Sequence, residues 1–281
     1  MILYNDYLKS KYGCKVYRIA LDAGFTCPGR CIYCNHNGSR AVYVDSGDTI
    51  KEQIKKRMAY LKEANKAKKF IAYFQAFTNT NAPVGKLKKA YDEVSGFDDI
   101  VGISIGTRPD SVDREKIQLI ASYKKSYEVW IEYGLQSAHD KTLQLINRGH
   151  TYDDFLKAYG LAKEYGLLVS AHVILGLPGE KKEDMIETAK KLSALKVDGI
   201  KIHLLHVLRG SELENMYYQG KVRLLEQKEY IELACDFLRN LSPGIIIQRL
   251  TGEGRREDHI APLWALDKID TINKIRSSFR P

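Results

Sequence analysis

The sequence predicts an α/β protein folded as a partial (β/α)6 TIM-type barrel with a short C-terminal extension. Two observations predict it. Short β-branched or aromatic runs alternate with amphipathic helical runs along the chain, and strands separated by helices pair in parallel through right-handed crossovers. The chain also has 281 residues, which suits one α/β barrel better than two small domains. The pattern alone leaves a doubly wound open sheet as the alternative, because periodicity does not report closure.

The elements follow in order. Strands are expected over Val16–Leu21, Phe70–Gln75, Ile100–Ile105, Val129–Tyr133, Leu168–Leu175 and Ile200–Leu205. Most are β-branched or aromatic and only four to eight residues long, as buried strands should be. A further β-rich run, Ile245–Leu250, comes late. Helices are expected over Thr49–Ala67, with Asp48 as N-cap, then Pro83–Val94, Val112–Tyr123, Asp140–Ile146, Tyr152–Tyr165, Lys182–Leu195 and Gln227–Leu241. Their apolar residues recur at three- and four-residue steps, and capping residues or prolines stand at several starts. Residues 1–210 read as the barrel core and 211–281 as an extension packed on it, one structural domain overall.

Composition narrows the class. Hydrophobic residues make up 44% of the chain and charged residues 28%, enough for a sizeable core. No apolar run approaches the roughly 20 residues of a membrane helix, and the N-terminus shows no secretory pattern. A cytoplasmic location is therefore expected. The net charge is +9. A basic surface favours polyanions, although a solvated lysine-rich face explains the charge equally well. The densest stretch holds Lys51, Lys55, Lys56, Arg57, Lys62, Lys66, Lys68 and Lys69 against Glu52 and Glu63.

There are five cysteines, and three fall together: Gly24-Phe-Thr-Cys27-Pro-Gly-Arg-Cys31-Ile-Tyr-Cys34-Asn-His36. An odd, clustered set is not a disulfide framework. Thiolates are soft ligands that suit zinc or iron–sulfur clusters. Two readings follow. His36 completes a four-ligand zinc site, or three cysteines hold a [4Fe–4S] cluster whose fourth iron stays open. Cys14 and Cys235 read as small buried residues.

This Cys-x3-Cys-x2-Cys spacing, after the first strand of a β/α chain and with Tyr33 before the third cysteine, resembles the radical S-adenosylmethionine (SAM) superfamily. The resemblance implies that Cys27, Cys31 and Cys34 bind three irons and that SAM chelates the fourth. One-electron reduction then yields methionine and a 5′-deoxyadenosyl radical. It also implies an external one-electron donor of flavodoxin or ferredoxin type. Further strand-end segments fit the same pattern. Phe74-Gln-Ala-Phe-Thr-Asn-Thr80 lies where the superfamily often meets the SAM amino group, here without glycines. Gln136 and Arg148 resemble residues of the oxygen-independent coproporphyrinogen oxidases that contact the SAM ribose and carboxylate. Val173-Ile-Leu-Gly-Leu-Pro-Gly-Glu180 resembles the segment that packs on adenine. Together these place Gln75, Thr78, Thr107, Arg108, Glu132, Gln136, Arg148, His172 and Leu175 around the cofactor. Lys201, His203 and Arg249 are the candidate substrate pocket. Lys201 and His203 share one strand face by the period-2 rule, with His206 on the other.

Longer strings narrow the resemblance. Ser104-Ile-Gly-Thr-Arg-Pro-Asp110, Gly134-Leu-Gln-Ser-Ala-His-Asp140, Ile146-Asn-Arg-Gly-His150, Leu204-Leu-His-Val-Leu-Arg-Gly210, Arg249-Leu-Thr-Gly252 and Ala261-Pro-Leu-Trp264 look together like the YhcC/YtqA (MnmL-like) family, related to the Elongator-type group. Where many members carry a longer insertion, only Pro28-Gly29-Arg30 separates Cys27 from Cys31. For the YtqA branch the resemblance implies tRNA wobble-uridine modification, taking a carboxymethylaminomethyl group toward aminomethyl. The basic helix and Arg249, Arg255 and Arg256 suit such a partner. A small-metabolite substrate and a zinc-stabilised RNA-binding module are the competing readings.

Overall fold

The computed structural model describes residues 1–35, 41, 43–44, 47–252 and 256–279. A short edge strand β1 (Ile2–Leu3) and helix α1 (Tyr4–Tyr12) open the chain. The alternating core follows as β2 (Val16–Leu21), α2 (Ile50–Asn65), β3 (Lys69–Phe74), α3 (Val84–Asp92), β4 (Ile100–Thr107), α4 (Arg114–Ser122) and β5 (Glu128–Gln136). It continues through α5 (Asp140–Leu145), α6 (Tyr152–Glu164), β6 (Leu168–Leu175), α7 (Lys182–Leu195) and β7 (Gly199–Leu204). After β8 (Val207–Leu208), α8 (Glu212–Tyr218) and α9 (Gln227–Arg239) come β9 (Ile246–Arg249), β10 (His259–Ala261) and α10 (Lys268–Ser278).

The main sheet has eight parallel strands in the order β1-β9-β7-β6-β5-β4-β3-β2. It curls into a half-barrel whose edges, β1 and β2, do not pair. All six expected core strands are present. The late β-rich run becomes β9 and pairs with β7 inside this sheet. Arg18 on β2 reaches across the gap and donates through Nη2 to the Gln248 carbonyl on β9, at 3.3 Å.

Alternation along each strand divides the side chains. Ile103 and Ile105 of β4, Val129, Ile131 and Tyr133 of β5, and Val169, Ala171 and Val173 of β6 pack outward under the helices in one core. Burying each such aliphatic side chain stabilises the fold by about 1.5–3 kcal/mol. Their neighbours Ser104, Glu132, Ser170 and Lys201 occupy the opposite, lumen-facing positions, and all are buried. The lumen is therefore a polar interior inside an apolar shell.

Helix starts show two corrections. Asp48 does not cap α2. Thr49 does, because Glu52 stands three residues on and closes a capping box: the Glu52 amide donates to Thr49 Oγ1 at 3.2 Å, and the Thr49 amide to Glu52 Oε2 at 2.8 Å. Asp48 pairs instead with Lys56 at 2.8 Å. Likewise, the helix expected from Val112 begins at Arg114, where Asp113 caps it, after a short 3₁₀ turn at Pro109–Ser111.

Candidate active site

The three cysteines lie on the loop leaving β2, at the C-terminal mouth of the half-barrel where β/α barrels carry their chemistry. Distant segments stitch that loop. The Ile32 amide donates to the Ile146 carbonyl at 3.1 Å, and the Leu213 amide to the Ile32 carbonyl at 2.8 Å. Asn147, with φ +51, donates to the Arg30 carbonyl at 2.9 Å. Asn81 Nδ2 donates to the Thr26 carbonyl at 3.2 Å. Asn81, Asn147 and Leu213 escaped sequence reasoning because their part is to hold backbone, which leaves no chemical signature in a single sequence.

Cys31 is buried, Cys27 half-buried and Cys34 exposed. Arg148 Nη1 lies 3.5 Å from Cys31 Sγ. The Cys31 thiol is pulled down to about 4, first by the Cys34 thiol's hydrogen bond and then by this guanidinium, against the opposing effect of burial. That is the electropositive setting in which a thiolate ligand forms readily. Among the described residues, no three His, Cys, Asp or Glu side chains converge on a single-ion site. His36, the fourth ligand of the zinc reading, lies outside the described residues, as does Arg255. Cys235 is buried against α10, far along the chain from the triplet, with Sγ 3.7 Å from the Ile275 carbonyl.

Arg148 is clamped from below. Its Nε and Nη2 both donate to the Gly134 carbonyl, at 3.1 and 2.5 Å. A Cβ on Gly134 would lie 2.7 Å from Arg148 Nη2 and 2.9 Å from Gln136 Nε2. The glycine is thus what lets the guanidinium and the amide stand side by side. Gln136 has φ +77 and follows a register shift in β5, where Gly134 pairs with His172 and Gln136 with Val173. A non-glycine residue in that region is strained, and such strain concentrates at functional sites. The sequence-based pairing of Gln136 with Arg148 is therefore a spatial neighbourhood.

Arg108 is nearly fully buried. It holds Asp110 with two bonds, at 2.8 and 2.7 Å, and donates to the Arg148 carbonyl at 2.7 Å. Its Nη1 faces Gly29 of the cysteine loop, where a Cβ would come within 2.2 Å. Arg108 thus links the loop to Arg148. Thr107 bonds Thr80 across 2.5 Å between hydroxyls. Thr78 is buried, and its Oγ1 has no hydrogen-bond partner among the described residues. The segment carrying it is folded by Asn79, whose Nδ2 donates to the Phe74, Ala76 and Gly106 carbonyls at 3.0–3.1 Å. The Gln75 amide donates to the Leu21 carbonyl at 3.2 Å.

Below the mouth, Glu132 anchors a polar cluster. It accepts from Lys201 Nζ, from His172 Nε2 at 2.9 Å and from Ser104 Oγ at 2.5 Å. Lys201 also donates to Tyr73 Oη at 2.9 Å. Burial opposes ionisation of Glu132, but Lys201 and then His172 hold its carboxyl well below the usual carboxylate range. Burial, and after it Lys201, push the His172 imidazole down to about 4, although Glu132 pulls the other way. His203 stacks near His172 with ring centroids 5.4 Å apart.

Two placements differ from those expected, Leu175 from the resemblance and His206 from periodicity. Leu175 packs in the core between sheet and helices. Its neighbours Ile174 and Leu177 instead join Ile32 of the cysteine loop in a smaller cluster at the mouth. His206 does not take the opposite side from His203. β7 ends at Leu204, so alternation no longer governs, and a Cβ on Gly252 would meet both rings, at 2.9 Å from His206 Nε2 and 3.3 Å from His203 Nδ1.

The fold, the cysteine triplet with Cys31 held beside a buried guanidinium, and the adjoining Arg148–Gln136 pair define a class of cofactor-dependent barrel enzymes. Residues 23–192 match the Radical SAM superfamily, and residues 197–280 match the Radical_SAM C-terminal domain. The chain belongs to the radical SAM superfamily, whose cofactors are a [4Fe–4S] cluster and SAM. It is 42% identical over 280 residues to protein MJ0486 of Methanocaldococcus jannaschii, covering 97% of this chain and 87% of that one. It is 39% identical to YtqA of Bacillus subtilis, over 96% of this chain and 87% of YtqA. A tRNA uridine(34) acetyltransferase of M. jannaschii is 32% identical over 146 residues, 51% of this chain and 26% of that protein. Among solved structures, Elp3 of Methanocaldococcus infernus superposes with TM-score 0.74 at 20% identity, over 94% of this chain and 64% of Elp3. Among the described residues, no helix is long and apolar enough to cross a membrane.

The residues present suit these cofactors. Cys31 Sγ stands 3.5 Å from the buried Arg148 guanidinium, and the Thr78 hydroxyl and Arg108 Nη1 are buried without hydrogen-bond partners among the described residues. Unsatisfied polar atoms of this kind mark where a polar ligand belongs.

Proposed function

We propose that this enzyme acts on the wobble uridine of tRNA, processing a carboxymethylaminomethyl group at C5 toward aminomethyl. The observation that carries the RNA substrate is the 32% identity, across half of this chain, with an enzyme named for uridine 34 of tRNA. The surface adds support. Lys51, Lys55, Lys66 and Lys68 are exposed along α2 and its end, and Arg57 lies 4.7 Å over the exposed Tyr60 ring. Cations interleaved with an aromatic ring suit a phosphate backbone and its bases.

In this reading Cys27, Cys31 and Cys34 hold three irons of the cluster. Arg148 pairs the SAM carboxylate and Gln136 bonds its ribose hydroxyls. Thr78, Gln75 and Thr107 line the amino end, Arg108 fixes the loop, and the Ile174–Leu177 turn offers an apolar wall to adenine. Glu132, His172 and Lys201 floor the lumen and keep bulk water from it. When bound and reduced by an external one-electron donor of flavodoxin or ferredoxin type, these cofactors supply a 5′-deoxyadenosyl radical that abstracts hydrogen from substrate. No side-chain base is required for that abstraction.

The test compares wobble nucleosides of a deletion strain with those of its parent. Accumulation of the carboxymethylaminomethyl form with loss of aminomethyl products is expected. An unchanged nucleoside profile would overturn the tRNA assignment.

A further inference from the structure

We propose that the rim at the N-terminal ends of β2 and β3, together with the ends of α1 and α2, is a docking surface for the phosphate backbone of the tRNA. It is separate from the mouth that takes the reacting base. The inference rests on the wobble-uridine reading and says which outer face holds the body of that substrate.

Three observations carry it. First, two lysine-rich stretches, distant in sequence, meet here. Residues 7–17 hold Lys9, Lys11 and Lys15 and no carboxylate, and residues 62–69 hold Lys62, Lys66, Lys68 and Lys69 against Glu63 alone. Parallel pairing of β2 with β3 sets Val16 against Lys69. Lys11 and Lys69 share the ring of Tyr12, at 5.7 and 5.3 Å from its centroid. Second, most of this charge is uncompensated. Lys11 pairs with Glu128 at 2.5 Å and Lys62 with Asp99 at 2.6 Å. Lys9, Lys15, Lys66, Lys68 and Lys69 make no ion pair among the described residues, and the first four are exposed. Third, the cations alternate with half-buried aromatic rings. Lys15 Nζ stands 4.6 Å over Tyr17, and Lys11 Nζ 5.8 Å over Tyr7. A ring beneath a lysine holds the amine in place without neutralising it.

Helix ends explain only part of the pattern. The last turns of α1 and α2 carry Lys9, Lys11 and Lys62, where cations complement the helix dipole. Lys15, Lys68 and Lys69 lie beyond those ends, so helix stability does not account for them. A fixed row of cations without anions of its own matches a row of phosphates.

An acidic electron-donor protein fits the place less well. Such a donor must bring its redox centre close to the cysteine loop. That loop leaves the C-terminal end of β2, whereas Lys15 precedes the N-terminal end, and the six residues between span about 20 Å. A nucleic acid is extended, and it can run along the β2 edge from mouth to rim.

The experiment uses reconstituted holoenzyme with SAM, a whole tRNA transcript and two triple variants. The first combines Lys9→Gln, Lys15→Gln and Lys68→Gln and strips the rim. The second combines Lys190→Gln, Lys196→Gln and Lys228→Gln, and removes the same charge from exposed positions on or just after α7 and on α9. The rim variant should bind tRNA at least about tenfold more weakly at about 0.1 M salt, and its plot of log affinity against log salt should be shallower by about two. The second variant should stay within about threefold of wild type. Circular dichroism and an iron content of about four per chain show that both are folded and loaded. Wild-type affinity in the rim variant, or equal losses in the two variants, overturns the rim and leaves the tRNA reading standing. Unchanged tRNA affinity with loss of flavodoxin-driven SAM cleavage assigns the patch to the electron donor and overturns it too. No tRNA binding by wild type overturns the tRNA reading, and the rim with it.

Discussion

Arg148 places its guanidinium 3.5 Å from the Cys31 sulfur while two of its nitrogens donate to the Gly134 carbonyl. One residue thus joins the cysteine loop to the bulged end of β5. Replacing it with methionine keeps much of the volume and removes the charge. The variant should still bind about four irons per chain but lose SAM affinity by about tenfold or more, the worth of a charged hydrogen bond. Titrating SAM into the reduced protein and following the cluster's electron paramagnetic resonance signal measures this. Unchanged SAM affinity would remove Arg148 from the cofactor site.

Gly29 tests the other end of that link. Its missing Cβ would sit 2.2 Å from Arg108 Nη1 and 3.1 Å from Arg108 Cζ, and Arg108 is pinned by Asp110 and the Arg148 carbonyl. Gly29→Ala must therefore displace the cysteine loop. Iron and sulfide retained after anaerobic reconstitution should fall below about half of the wild-type four. Full retention would show that the loop has slack the contacts do not suggest.

Gln136 separates stability from binding. Its φ of +77 costs a non-glycine residue about 1 kcal/mol or more. Gln136→Gly should relieve that strain and raise the denaturation midpoint or leave it level, despite the added freedom of glycine in the unfolded chain. SAM affinity should fall in the same variant. A marked loss of stability would mean that the amide holds the bulge rather than serving a ligand.

The buried pair Lys201–Glu132 predicts a non-additive cycle. Glu132→Gln or Lys201→Met alone strands the partner's charge and should cost about 3–5 kcal/mol. The double variant should recover a large share of that loss. Urea denaturation of the four proteins gives the coupling energy. Additive losses would place the two side chains in separate networks.

The luminal histidines set a pH dependence. His172 is pushed down to about 4, and so is His206, by burial first and His259 second. Between pH 6.5 and 4 the unfolded chain binds protons that these native sites refuse. Stability is therefore complete above about pH 6.5 and falls as pH drops toward 4, by up to about 3 kcal/mol for each group. Glu132 has the same sign lower down, because its depressed native value costs stability only in acid below the usual carboxylate range. Denaturation at pH 7 and pH 5 should show the first loss, and His172→Asn should reduce it.

Much of this architecture was legible in the residues. The six core strands and most helices followed from periodicity, because short β-branched runs and three-four spacing have one consistent reading in a β/α chain. The triplet Cys27, Cys31 and Cys34 was legible because soft ligands at that spacing have few structural explanations. The membership of β9 in the sheet was not. Ile246–Arg249 looks like any short strand, and its place depends on pairing with β7, a long-range choice. The carboxylate cage around Glu132 was hidden for the same reason, since Tyr73, Ser104, His172 and Lys201 meet it from four other strands. The side taken by His206 was not legible, because it lies two residues beyond the end of β7, where strand alternation no longer holds.

The stitching of the cysteine loop bears on how the enzyme is made. Ile32 is held by the amide of Leu213 and Arg30 by the side chain of Asn147. Those partners leave the ribosome long after the cysteines do. The cysteine loop therefore takes its final shape only once α8 has docked against it.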